Sequence, residues 1–518
     1  MIVIIAAFIF ALALAAGSAL YVRHLDSVRN EDYIWENYSV TVTLNYFDGT
    51  KKRITTLINT PVILDEPEEV SGYTFLGWEN ENGKLLRPSE ITAKIDEEYT
   101  ARYIISLDTE NHVPYLFADE QGLFHADDTL SRGDAARMIW SVLSEKPETG
   151  GRFEDIDEES EYAEPAGALK DLGICTDSRF YPEDDMSRGE LIRMLASFYP
   201  PADGTYSFSD ITEKEPTYGA FCIAAERGWI EYGEKTAADP YSGITRIDAV
   251  RLMNRVLGRD SSELPPDEFV GGILEYRPED EYCLPLVEAA VAHEFERCAG
   301  GEKWTSGKAL EKQPEGRFFN GGRLYYLDAD GHFARDFEQE GYTFDGERDT
   351  LVFVDGFKFG SDGIYTCGDP ELDALVYEVI DSLYHEGMTR EELLKELFEY
   401  TVSSFSYLRR NYYKYGDTTF AQKEALLMLS TGRGNCYSYA GTFCMLARAL
   451  GYDAVVFSGT VGREYEPHGW CEIIEDGTPY ICDPELVMLH RRSGKNYDMF
   501  FKLHDEMKGW MYIRYTRK

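Results

Sequence analysis

Three side chains near the C-terminal end have the types and order of a thiol nucleophile, its base and the base's orienter. Cys436 sits in Gly-Arg-Gly-Asn-Cys-Tyr-Ser-Tyr-Ala-Gly (432–441), His468 in Pro-His-Gly-Trp (467–470) and Asp483 in Tyr-Ile-Cys-Asp-Pro (480–484). A cysteine attacks as its thiolate, an imidazole takes up and returns the proton, and a carboxylate fixes the imidazole tautomer. That chemistry is acyl transfer through a thioester, which water or an amine then releases.

The flanking residues say how these groups are held. Gly432 and Gly434 break the chain, and Asn435 can cap the next helix. Tyr439, Phe443, Leu446, Ala447 and Leu450 recur at helical spacing, and Gly451 ends the helix. Cys436 is therefore expected at a helix N-terminus, where the dipole and free N–H groups favour a thiolate and can bind an oxyanion. Residues 468–475 read as a strand, Asp476-Gly477 as a hairpin turn, and Thr478 to Asp483 as the return strand. With an even loop, alternation puts His468, Trp470, Glu472 and Ile474 on one face with Ile481 and Asp483. His468 and Asp483 become diagonal neighbours. The same register sets Cys471 opposite Cys482, as a cross-strand disulfide or as two buried thiols, while Cys444 reads as core.

Gly-Arg-Gly-Asn-Cys-Tyr, Arg-Ala-Leu-Gly-Tyr-Asp-Ala (448–454), His-Gly-Trp and Cys-Asp-Pro together resemble the transglutaminase-like superfamily of papain-like cysteine enzymes. The resemblance covers residues 369–518 and implies a papain-like α+β catalytic domain, with lead-in helices at Leu372–His385 and Arg390–Phe405. It implies catalysis by Cys436, His468 and Asp483 on protein or peptide amides, and puts Tyr407 near the site as an oxyanion candidate. Some superfamily members have lost the triad and only bind. The rival expectation is thus a non-enzymatic surface scaffold or adhesin.

Composition narrows the setting. The 518 residues carry 51 basic and 93 acidic side chains, a net charge of −42, which argues against nucleic-acid partners and general adhesion to anionic lipid. Hydrophobic content of 43% with 14% aromatic argues for several folded modules. Nine cysteines are too few for a disulfide framework at this length. Residues 1–22 hold one apolar run and read as a signal peptide or a membrane anchor; either one exports the chain, and membrane contact is expected only there.

Two further regions carry resemblances. In residues 38–104, the alternating Tyr-Ser-Val-Thr-Val-Thr-Leu-Asn-Tyr (38–46), a strand candidate at Thr55–Leu64 and Gly-Tyr-Thr-Phe-Leu-Gly-Trp (72–78) resemble the Listeria–Bacteroides repeat, a β-grasp module. In residues 112–257 a motif recurs as Leu-Ser-Arg-Gly-Asp (130–134), Met-Ser-Arg-Gly-Glu (186–190) and Ile-Thr-Arg-Ile-Asp (244–248). Each Ser or Thr caps a helix and the acid three positions on helps complete the cap. The pattern resembles three S-layer homology repeats, at 112–143, 153–198 and 208–257. That family implies a mostly helical, three-lobed unit binding secondary cell-wall polysaccharide, with Arg132, Arg188 and Arg246 at the matching positions. It also implies attachment to the surface of a Gram-positive-type bacterium. Residues 258–368 read as a linker and β-rich connector, with a helix expected at Leu284–Phe295. Asp328, Asp330 and Asp336 lack the Gly and terminal Glu of a calcium loop. No metal and no cofactor are expected.

Overall fold

The computed structural model describes residues 38–514 except 120, 149, 234, 262, 300, 347–349, 386 and 411, together with 16–21, 23, 24, 29 and 35. Most of the apolar N-terminal run therefore lies outside the described residues. Among the described residues, no helix is long and apolar enough to cross a membrane. Two compact units form. One holds Met1–Ala118, Phe124–Val270 and Arg277–Lys308; the other holds Asp119–Leu123, Gly271–Tyr276 and Ala309–Lys518.

The first unit begins with strands β1 (Ser39–Asn45), β2 (Lys51–Leu57), β3 (Thr60–Leu64), β4 (Tyr73–Asn80), β5 (Leu85–Leu86), β6 (Ser89–Ala93) and β7 (Glu97–Ile105). Five of them form a sheet in the order β2-β1-β7-β4-β5, with β1 and β7 parallel, while β3 pairs with β6. The alternation of β1 buries Val40, Val42 and Leu44 around Trp78. The strand expected at Thr55–Leu64 is two strands, because Asn59 takes a left-handed φ of 65° and the chain passes from its pairing with β1 to a pairing with β6.

Six helices come next as three pairs: α1 (Arg132–Ser141) with α2 (Ala163–Asp171), α3 (Arg188–Ala196) with α4 (Tyr218–Glu226), and α5 (Arg246–Leu257), past the single turn α6 (Asp267–Val270), with α7 (Cys283–Ala290). Ser131, Ser187 and Thr245 cap the first helix of each pair, accepting from the N–H of Asp134, Glu190 and Asp248 at 3.0, 3.3 and 3.2 Å. The residues just before the caps close a ring of backbone bonds: Leu130 N–H to Ile244, Ile244 N–H to Met186 and Met186 N–H to Leu130. The third pair takes its second helix from the segment read as connector. Leu172-Gly173-Ile174 follows α2 and Gly228-Trp229-Ile230 follows α4, but no such step follows α7; Val291 turns extended and ends the helix short of the expected Phe295, and a hairpin of β8 (Ala292–Cys298) and β9 (Gly301–Lys308) begins.

The second unit opens with short antiparallel pieces: the hairpin β10 (Gly316–Asn320) and β11 (Arg323–Leu327), β12 (Phe337–Gln339), the hairpin β13 (Tyr342–Gly346) and β14 (Thr350–Val354), β15 (Phe357–Phe359) and β16 (Tyr365–Thr366). Helices α8 (Pro370–Leu383) and α9 (Arg390–Ser403) start on side-chain caps from Asp369 and Thr389. Then come β17 (Ser406–Tyr407), α10 (Ala421–Thr431), β18 (Arg433–Gly434), α11 (Cys436–Ala449), β19 (Asp453–Val461), β20 (Glu466–Glu475), β21 (Thr478–Cys482), α12 (Pro484–Arg492), β22 (Lys502–Leu503) and β23 (Ile513–Arg514). The main sheet runs β22-β21-β20-β19-β23, all antiparallel. Every residue of α11 is buried, as an all-round apolar helix requires, and it packs on β19 and β20.

Candidate active site

The loop before α11 is built to a tight tolerance. Gly432 turns the chain with φ 71°, and β18 pairs with β17 so that Tyr407 lies beside Gly434. A Cβ on Gly434 would stand 2.2 Å from the Cβ of Ser438, so only glycine fits. Asn435 N–H donates to Ser438 Oγ at 3.2 Å. Ser438 in turn donates to Glu424, a buried carboxylate that also accepts from Arg410 at 2.9 Å and Tyr413 Oη at 2.8 Å. This network fixes the turn that presents Cys436 as the first residue of α11, 3% exposed. Its backbone N–H belongs to the unpaired first turn and points positive potential at whatever carbonyl oxygen approaches.

His468 reaches the same place from β20. The hairpin turns on Asp476-Gly477, both left-handed, and pairs Cys471 with Cys482 and Glu472 with Ile481. This is the register expected from the turn residues. His468 Nε2 meets Asp483 Oδ2 at 2.7 Å, and the Cys436 sulfur lies near enough to favour the charged imidazole. With Nε2–H donated to Asp483, Nδ1 is the nitrogen left to exchange a proton. Burial opposes charge on His468, but the Asp483 carboxylate and the Cys436 sulfur outweigh it, and the imidazole holds its proton well above the usual histidine range. Gly469 admits the ring of Tyr437, since a Cβ there would lie 2.5 Å from it.

Asp483 is fully buried and triply engaged. Beyond His468, its Oδ2 accepts from Tyr512 Oη at 2.7 Å, and its Oδ1 accepts from Leu486 N–H at 3.0 Å as the N-cap of α12. One strand step from His468 on the same face, Trp470 donates Nε1–H to Glu472 Oε1 at 2.7 Å. Glu472 pairs with Arg514, whose Nε lies 2.9 Å away, and with His504 at 3.1 Å. Burial works against ionisation of Glu472, yet Arg514 and His504 hold its carboxyl down to about 2. Glu485 is also buried, and there burial raises the carboxyl to about 7 against the pull of His468.

Cys436, His468 and Asp483 are thus brought together, and Tyr407 lies beside them, its phenol pushed up by burial and by the neighbouring Cys436 and Glu485. Tyr512, Arg514, Glu424 and Glu485 were not singled out from the sequence, and Glu472 was placed on the His468 face but given no role. An acid on the His468 face of a strand is the one signal that could have flagged Glu472. Nitrogen and oxygen atoms of His468, Asp483 and Glu485 lie within 4.8 Å of one another, a spacing a cation could bridge, but Asp483 Oδ2 is already shared by His468 and Tyr512. Cys471 and Cys482 face each other as free buried thiols. Arg132, Arg188 and Arg246 lie in the other unit. Arg132 and Arg246 donate Nε–H to the carbonyls of Phe180 and Phe124, each at 2.8 Å, and pair with Glu190 and Asp134 of the next repeat. Arg188 makes the matching bond to Ala238, at 3.2 Å, with no ion pair among the described residues.

The model of the transglutaminase-like superfamily matches residues 379–484, a span that includes Cys436, His468 and Asp483. Residues 379–484 are a transglutaminase-like domain. Among solved structures, the chain is similar to a "Putative Cysteine Protease from Cytophaga hutchinsonii" at 16% identity and a TM-score of 0.19. That match covers 28% of this chain and 42% of that one, under half its length. No curated protein matches the chain. The transglutaminase-like domain has a cysteine-enzyme-like fold, in which a thiol, an imidazole and a carboxylate come together.

Proposed function

We propose that the chain is a cysteine acyl-transfer enzyme of the transglutaminase-like type, acting on protein or peptide amides. The observation that carries this reading is the buried imidazole of His468, hydrogen-bonded to Asp483 and close enough to the Cys436 sulfur to be influenced by it. The Cys436 thiolate attacks the amide carbonyl carbon, and a C–S bond forms as the π pair moves to oxygen. The Cys436 N–H at the start of α11 faces that oxyanion, with Tyr407 Oη as a second donor. Collapse breaks the C–N bond, and His468 passes its proton to the departing nitrogen. Water then adds to the thioester with His468 as base, and the C–S bond breaks to return the thiol. An amine in place of water would crosslink; hydrolysis needs only solvent, so peptidase or amidase action is the leading reading.

The setting proposed is the bacterial envelope. The repeat ring would engage an anionic wall polysaccharide and the N-terminal run would export the chain. Arg188 is the arginine best placed for that, because Arg132 and Arg246 are committed to neighbouring acids. Sedimentation of the full chain with purified wall sacculi, weakened by Arg188→Ala, tests it; a chain that stays in the supernatant removes the wall-binding reading.

Treatment with iodoacetamide across pH 5–9, monitored by peptide mass, tests the chemistry. Cys436 should label on the acid side of pH 7, and His468→Ala should shift that labelling towards the ordinary thiol value of about 8.5. Labelling that is indifferent to His468 would leave a domain that only binds.

A further inference from the structure

Away from the transglutaminase-like domain, the first unit buries a cluster with no part in acyl transfer. His112, Glu288 and His293 are each no more than 7% exposed. His112 Nδ1 lies 2.7 Å from His293 Nε2, His293 Nε2 lies 3.1 Å from Glu288 Oε2, and His112 Nδ1 lies 3.7 Å from that same oxygen. Two histidines 181 residues apart converge because the His112 segment bridges to the first residues of β8.

Protons cannot satisfy this cluster in its neutral form. His293 Nδ1–H donates to the Val291 carbonyl at 2.8 Å, which leaves Nε2 as a bare lone pair. If His112 Nδ1–H donates to it, His112 Nε2 becomes a second bare acceptor, buried without a hydrogen bond and 3.7 Å from the Glu302 carboxylate. Glu288 Oε2 is likewise buried with no hydrogen bond, although its partner oxygen is anchored by Trp304 Nε1 at 2.7 Å and by Ser261. With the proton off His112 Nδ1, that nitrogen, His293 Nε2 and Glu288 Oε2 are three acceptors within 3.7 Å of one another.

We propose that His112 Nδ1, His293 Nε2 and Glu288 Oε2 bind a first-row divalent transition ion, with zinc as the favoured occupant. Two nitrogens and one carboxylate oxygen are a zinc donor set, and a tetrahedral zinc separates its ligands by ~3.3 Å, which the three distances bracket. Metal at Nδ1 moves the His112 proton to Nε2, where it faces Glu302. Every ligand then has an outer partner: Glu302 for His112, the Val291 carbonyl for His293, and Ser261 with Trp304 for Glu288. The rings are also held in place, His112 stacked on Phe295 and His293 on Trp304 with centroids 3.9 and 3.6 Å apart. His112 and His293 border a cavity of about 730 Å³, while their imidazoles and the Glu288 carboxylate stay almost fully buried.

The test uses the full chain, stripped by chelator and titrated with zinc against a competing chelator. One equivalent should bind and raise the melting temperature. His112→Gln and His293→Gln should each weaken it at least ~100-fold, while His468→Gln keeps it. Cobalt in place of zinc should give a visible ligand-field spectrum without thiolate charge-transfer bands. That readout holds on the unmutated chain even if a histidine variant misfolds. Failure to bind zinc, zinc retained by both histidine variants, or a thiolate spectrum would each overturn the site. The cluster would then be a charged His293–Glu288 pair.

Discussion

The repeat ring and the transglutaminase-like domain use charge in opposite ways. In the ring, Arg132 and Arg246, each at the start of one helix pair, reach the first-turn acid of the next, while Arg188 makes the backbone bond alone. Each link is supported by a backbone hydrogen bond to a carbonyl, so no link stands alone. In the transglutaminase-like domain, charge is concentrated in unique groups. Asp483, Glu472 and His468 are almost fully buried and each depends on particular partners. Repetition spreads the cost of a lost ion pair, whereas a buried site makes the loss of any partner expensive.

Substitutions can break or sharpen that contrast. The largest effect is expected at Asp483: Asp483→Asn should slow turnover by about 10⁴-fold once a substrate is in hand, because the imidazole loses its orienting charge. Asparagine still caps α12, so Asp483→Ala should cost about 1 kcal/mol more stability than Asp483→Asn in urea unfolding. Next comes Glu472→Gln, which leaves Arg514 buried without its counter-charge and should destabilise by about 3–5 kcal/mol. The same group sets an acid limit. Its carboxyl is held below the ordinary 4.5 at about 2, so its contribution is present above pH 4.5 and is lost as pH falls through 2. That contribution is roughly 3 kcal/mol, and acid unfolding curves of Glu472→Gln should lack it. Tyr512→Phe removes one donor to a charged acceptor and should cost about 2 kcal/mol. The smallest effects belong to the ring: Arg132→Ala and Arg246→Ala should each cost about 1 kcal/mol or less in thermal melts. A ring variant that costs as much as Glu472→Gln would overturn the contrast.

Local signals carried far in this chain. The turn at Asp476-Gly477 dictates the hairpin parity, and the parity carries His468 towards Asp483. The Ser and Thr caps foretell where α1, α3 and α5 begin. The hidden features are those that depend on distant residues. Tyr512 reaches Asp483 across 29 positions from a short terminal stretch with no periodicity of its own. Glu424 looks like any exposed acid on an amphipathic helix until Ser438, Arg410 and Tyr413 converge on it. Helix α7 is expected as a helix, but its place in the third pair escapes, because it lacks the glycine step that follows α2 and α4. Asn59 divided the strand candidate, because asparagine tolerates the left-handed conformation and a single such residue breaks an extended run.

Asp483 also makes the chemistry a gauge of local order. One oxygen holds the first turn of α12 and the other holds the imidazole, so the two cannot fail separately. Fraying of α12, an opening far cheaper than global unfolding, would swing the carboxylate away and silence the thiol while the core stays intact. Heat inactivation should then precede the loss of secondary structure. Any segment or ligand that clamps residues 484–492 would widen the temperature range of the chemistry without touching a reacting atom.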